Sequence, residues 1–379
     1  MQVKISTMKH LLSLMLCFFI SVGLLSAQVA PRKIQLVILF DTSNSMDGLI
    51  EQAKSKIWAI VNETTGLRYQ GVVPTLEIAV YDYGNSGVSE QSNYIRQQTP
   101  FTTNLDVISE KLFALRTNGG EEYCGAVIKK SLEDLTWSAD SKDLKMIYIA
   151  GNEPFTQGPI DYKEACKLAV SKGVFINTIY CGVYDQGVRE SWKDGATCSK
   201  GDYFNINSNE KIAYYSTPYD SLIQQKNTTL NGTYVAYGSA AVYNFTNQAA
   251  QDNNAKMQSA AVATERIIVK SKKSAYKNEA WDAVDAYNAD STFLDKAKDE
   301  ELPQEMKGKT KEEKEKIILE KNAERDKVQQ EIGELAKKRE EYINELKKKE
   351  ASTANQKKDD FGTAVSNGIH EKAKAIGFE

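Results

Sequence analysis

Residues 34–40 read IQLVILF, and the run ends in Asp41-Thr42-Ser43-Asn44-Ser45. An apolar run of this length that turns abruptly polar is the pattern of a strand buried on both faces, as in a parallel sheet covered by helices. Its polar exit falls where open α/β sheets place their ligand loops, at the carboxyl ends of parallel strands. The chain repeats this alternation up to about Gly238. Residues 76–83 (LEIAVYDY), 144–150 (LKMIYIA) and 174–180 (VFINTIY) read as further strands, with 203–206 as a short one. Helical periodicity runs through 48–61, where Leu49, Ala53, Ile57 and Ile60 share a face. It recurs at 105–115, 125–135, 162–171 and 219–231. This pitch of alternation predicts a doubly wound, mostly parallel α/β sheet over 33–238.

After Ser239 the composition shifts toward Ala, Lys, Glu and Asn, which predicts a separate helical region over 239–379. Helices are expected at 248–270, 278–287 and 311–349. Between Lys309 and Glu350 there are 13 basic and 12 acidic residues, so the last helix, set at 309–350, is densely charged yet nearly neutral. Ile318, Val328, Ile332, Leu335, Tyr342 and Leu346 form an apolar stripe, interrupted by Lys321, Arg325 and Arg339. Two readings stay open: a coiled coil through which the chain self-associates, or an amphipathic helix packed on its own neighbours.

Lys4, Lys9 and His10 precede an apolar run over 11–25, and the small residues Ser26 and Ala27 follow. This is the pattern of a signal peptide over 1–27 cleaved before Gln28, with a retained signal anchor as the alternative. Cleavage would deliver a secreted or periplasmic protein with no stable membrane span. Cys124, Cys166, Cys181 and Cys198 remain after it, and in an oxidising compartment they allow three complete pairings or four free buried thiols. The net charge of −3 gives no basic field for nucleic acid.

The pattern Asp-x-Ser-x-Ser at Asp41, Ser43 and Ser45 puts one carboxylate and two hydroxyls on one turn. Hard divalent cations take such oxygen ligands, and Mg²⁺ keeps several waters besides. A helix-capping loop is the plain alternative. Past the leader the only histidine is His370, so His-based triads and zinc hydrolases lack their base or ligand. The phosphate-binding loop Gly-x-x-x-x-Gly-Lys-Ser/Thr is absent. The chain is therefore expected not to be an enzyme, metal-assisted phosphoester hydrolysis being the weakest of the alternatives.

Residues 34–46 (IQLVILFDTSNSM) resemble the opening of von Willebrand factor A (VWA) domains, and the resemblance extends over 33–238, a Rossmann-like fold. It implies a metal-ion-dependent adhesion site in which Asp41, Ser43 and Ser45 supply the first loop. The family's second loop gives a Thr before a Gly-containing helix start. Here, with Gly125 at the helix start, Glu122 and its neighbour Glu121 fall near that position, and Thr117 lies too early. The family's third loop gives an Asp, where this chain has Gly151, followed by Asn152 and Glu153. Glu121 or Glu122 is expected to replace the missing carboxylate, with Asn152 and Glu153 as further candidates. The cation would be Mg²⁺, Mn²⁺ or Ca²⁺, engaging an acidic side chain of a protein partner. A degenerate, metal-free site on a scaffold that assembles through its helical tail is the rival reading. Tyr83, Asn85, Tyr123 and Phe155 either line the open face or pack between loops.

Overall fold

The computed structural model describes residues 31–47, 50, 58, 60–206, 215–353 and 361–379. The signal peptide expected at 1–27 and most of the helix expected at 48–61 lie outside them. Six strands form one sheet: β1 (Lys33–Asp41), β2 (Thr75–Tyr83), β3 (Arg96–Thr102), β4 (Leu144–Gly151), β5 (Phe175–Cys181) and β6 (Tyr203–Ile206), in the order β3-β2-β1-β4-β5-β6. All neighbours are parallel except β2 and β3. The chain winds outward from β1 in both directions, so the loop after β1 sits at the point where strand order reverses.

Alternation of side chains along the strands splits the core into two layers. Val37, Leu39, Ala79, Tyr81, Ile147 and Ile149 face one way. They pack with residues of α2 (Cys124–Asp134), α3 (Tyr162–Lys172) and α5 (Trp192–Thr197). Between these elements lie α1 (Leu105–Ala114) and the short α4 (Tyr184–Arg189). Asn104 opens α1 by accepting from the Asp106 and Val107 amides, and Gly173, at φ 65°, closes α3.

Leu36, Ile38, Phe40, Ile78, Val80 and Met146 face the other way, and the helical region completes that layer. Its elements are α6 (Asp220–Asn231), α7 (Ala241–Gln258), α8 (Ala260–Lys270), α9 (Ala283–Ala289), α10 (Phe293–Lys296), α11 (Lys311–Thr353) and α12 (Phe361–Ala375). Ile223, Ile267, Val328, Ile332, Val365 and Ile369 belong to the same buried cluster as β1, and residues 32–379 form one compact unit.

The structure amends several expectations. The helix expected at 248–270 is two, because Ser259 is extended (φ −169°, ψ 161°) and its hydroxyl caps α8 at the Val262 amide. The helix expected at 278–287 forms at Ala283–Ala289. Strand β3 and helices α4, α5 and α12 were not expected. The apolar stripe of α11 packs against this chain's own core through Ile318, Val328 and Ile332. Cys166 and Cys198 are bonded to each other, while Cys124 and Cys181 are free and buried. That is neither a complete pairing nor a set of four free thiols. Among the described residues no helix is long and apolar enough to cross a membrane.

Candidate functional site

Strand β1 delivers Asp41 to the rim fully buried. The Ser43 amide donates to Asp41 Oδ1 (2.8 Å), which folds the loop back over the carboxylate. The hydroxyls of Ser43 and Ser45 are 2.8 Å apart. Ser45 Oγ donates to Asn152 Oδ1 (2.8 Å), and Asn152 Nδ2 donates to the Ser45 carbonyl (3.1 Å). The first and third loops are thus joined directly. The second loop is tied in by its backbone, the Asn118 amide donating to the Thr42 carbonyl (2.9 Å).

Of the two glutamates in that loop, only Glu122 turns inward. It is buried, whereas Glu121 is exposed and accepts from Gln157 Nε2 (3.1 Å). Gly84, at φ +77°, makes room for this approach. A Cβ there would stand 2.9 Å from Glu122 Cγ and 3.1 Å from Asp41 Oδ1, so the two acidic side chains face each other across a bare Cα.

The third loop has no place for the side chain that the resemblance expects. A Cβ on Gly151 would lie 2.6 Å from the Tyr83 hydroxyl and 3.0 Å from Asp41 Oδ2. That hydroxyl donates to the Ala150 carbonyl (3.1 Å) and fills the space instead. Glu153 holds its backbone in place by accepting from Trp192 Nε1 (2.8 Å), and its charge acts on both Asp41 and Glu122.

Tyr83, Asn85 and Phe155 are buried and Tyr123 half-buried, so packing between loops is their role. Asn85 donates to the Arg116 carbonyl (3.0 Å), and the Phe155 ring meets Trp192 at 4.9 Å between centroids. Thr117 hydrogen-bonds Asp47 at the edge of the site.

Burial pushes the Asp41 carboxyl up to about 7, and the charges of Glu122 and Glu153 add to it, against hydrogen bonds from Ser43 that pull it down. Glu122 is pushed up to about 7 by burial and then by Glu153, with Ser43 and Gln157 opposing. Asp41 Oδ2 is buried without a hydrogen-bond partner. An unpaired carboxylate oxygen removed from water demands either a proton or a cation.

The residues present suit a divalent cation in two respects. The Asp41 carboxylate takes the Ser43 amide on Oδ1 and keeps Oδ2 unpaired, and the Ser43–Ser45 hydroxyl spacing is close to the distance of about 2.9 Å between neighbouring ligands on Mg²⁺. Among the described residues, no group of three or more His, Cys, Asp and Glu side chains is placed to hold a metal. The donor set here is instead two carboxylates and two hydroxyls.

Beyond Ser45 and Asn152 opens a polar cleft of about 610 Å³, with Asp47, Glu153 and Glu190 on its walls. Sequence reasoning did not single out Asp47 or Glu190. Asp47 lies just past the motif, a signal that was available, whereas Glu190 follows the unforeseen helix α4.

Sheet order, motif and loop convergence define a doubly wound α/β domain that resembles VWA domains and carries an oxygen-rich pocket at its switch point. No protein-family model matches the chain, and no curated protein matches it. Solved structures similar to part of it include the conserved hypothetical protein BatB from Bacteroides thetaiotaomicron (18% identity, 46% of this chain, 90% of that one, TM-score 0.35). They also include the SpRpn10 VWA domain (16%, 47% and 90%, 0.35). An aerotolerance-related membrane protein from Bacteroides fragilis is a third (19%, 46% and 93%, 0.34).

Proposed function

We propose that this chain is an exported binding protein that engages a protein partner through a divalent cation held at the β1 rim. The observation that carries the reading is Asp41 Oδ2, a buried carboxylate oxygen with no partner, at the head of a loop whose two serine hydroxyls stand at ligand spacing. Asp41, Ser43, Ser45 and Glu122 would hold the ion, with Asn152 orienting Ser45 and Glu153 adding negative charge. Glu121 points away and has no part in it. The cation supplies an open coordination position at which a carboxylate of the partner displaces water. The chain's own residues do the rest. Asp41 anchors the charge, the serine hydroxyls complete one side, and the Ser45–Asn152 pair fixes the first loop against the third. The site is read as one of binding, not catalysis. Its described surroundings include no histidine, and His370 instead pairs with Glu63.

Calorimetric titration of Mg²⁺, Mn²⁺ and Ca²⁺ into the wild type, Asp41→Ala and Glu122→Gln tests this. Binding to the wild type that is lost in Asp41→Ala and weakened at least tenfold in Glu122→Gln is expected. No heat with any of the three ions would end the metal reading and leave a metal-free scaffold. Pull-down from an exported fraction, with and without chelator, then tests the partner.

A further inference from the structure

We propose that the Cys166–Cys198 disulfide is a thiol-exchange site, open to attack by a thiolate reductant in the folded protein. The bond joins the middle of α3 to the end of α5, with Cα atoms 5.9 Å apart. It floors an open surface pocket of about 310 Å³, whose other walls are Lys163, Lys167 and Val170. The two sulfurs are not equivalent. Cys166 is buried at 4% exposure, whereas Cys198 is half-buried, and the attack is assigned to the less buried Cys198.

The surroundings favour that direction of attack. Lys163 stands one turn before Cys166 on α3 and Lys167 directly after it, both exposed. Both line the same pocket as the bond, and their positive charge offsets part of the cost that burial sets on a thiolate leaving at Cys166. The step balances as follows. The reductant's thiolate attacks Cys198 Sγ, the S–S bond breaks, and Cys166 leaves with the electron pair as a thiolate. A second thiol then attacks the reductant's sulfur in the mixed disulfide. Cys198 leaves as a thiolate, and the reductant departs as its own disulfide, two electrons poorer. The free cysteines cannot substitute. Cys124 and Cys181 are fully buried, and burial holds their thiols well above the usual range.

The bond also reaches the candidate site through α5. Trp192, at the start of that helix, donates from its ring to the Glu153 carbonyl and packs on Phe155 and Tyr180. Opening the disulfide therefore frees the far end of the helix that braces the third loop.

The experiment treats the native full-length protein with reduced glutathione or with a thioredoxin-type dithiol protein. The reaction is quenched by alkylation and read by intact mass and peptide mapping. Expected are a glutathione adduct on Cys198 with alkylated Cys166, and a reaction slowed roughly threefold to tenfold by Lys163→Gln with Lys167→Gln. Lys163 also pairs with Asp194, so Lys167→Gln carries the larger share. The faster reductant per thiolate identifies whether a small thiol or a protein dithiol is the source. Resistance to both reductants without denaturant, an adduct on Cys166, or unchanged rates in the lysine variants would each overturn the assignment. Both lysines are exposed, and circular dichroism of each variant checks its fold before the rates are compared.

Discussion

In the folded chain Asp41 keeps its proton up to about pH 7, whereas its ordinary value is 3.8, and Glu122 moves the same way from 4.5 to about 7. Between those limits the folded state binds more protons than the unfolded one. Stability without metal is therefore full below about pH 4 and is lost as pH rises toward 7. The prediction is that chelated protein melts at lower temperature at pH 8 than at pH 5, and that a bound cation removes the difference. Asp41→Asn should abolish the cation effect yet raise metal-free stability at pH 8 by roughly 1–3 kcal/mol, because it removes an unpaired buried charge. Thermal melts across pH read both. Gly151→Asp, which would restore the carboxylate that the resemblance expects, should instead destabilise by about 1–3 kcal/mol. Its Cβ meets the Tyr83 hydroxyl and the Trp192 ring, as differential scanning calorimetry would register. Asp41, Ser43 and Ser45 were legible in the sequence because they are near neighbours on one turn. The choice between Glu121 and Glu122 was not, since adjacent residues differ only in the rotation that the start of α2 imposes. Nor could the sequence reveal that Tyr83, from another strand, fills the space above Gly151.

At the scale of elements, buried strands read most plainly. β1, β4 and β5 are apolar on both faces, and the period of their neighbouring helices is complete within each segment. Strand β3 escaped because it is an antiparallel edge, RQQTPFT, whose exposed positions and Pro100 carry no such run. Helix α11 shows the opposite difficulty. Lys321, Arg325 and Arg339 break its apolar stripe in sequence, but each reaches back into the chain. Arg325 donates to Asp282 (2.6 Å), Asp285 (2.8 Å) and the Thr233 carbonyl (2.7 Å), and Arg339 donates to Asp220 (2.8 Å). Lys321 donates to the Gly232 carbonyl (3.0 Å). Arg325→Ala leaves two carboxylates unpaired at the α9–α11 contact and should cost about 3–5 kcal/mol, while Lys316→Ala on the exposed face should stay within about 0.5 kcal/mol. Urea denaturation of the two variants would make the contrast visible.

Across the whole molecule, the change of composition near Ser239 divides the sequence into two regions, but the packing runs across that boundary. Ile267, Val269, Val328 and Ile332 lie beyond it and share a buried cluster with Leu36, Ile38 and Val80. Charge crosses as well. Arg266 donates to Asp106 (2.6 Å) on α1 and to Asp252 (2.8 Å), and Ser109 donates to Gln251 (3.1 Å). Cutting the chain after Gly238 would bare one face of the sheet and strand Asp106, only 3% exposed in the whole protein, without its cation. Exposed apolar area of that kind drives aggregation, and an uncompensated buried carboxylate adds to the loss. The fragment 32–238 is therefore expected to be insoluble, or to melt far below the full chain, and to regain solubility when 239–379 is co-expressed. Size-exclusion chromatography and circular dichroism decide it. A monomeric fragment that melts with the full chain would make the helical region an appendage, and its buried arginines would then brace only one another's helices.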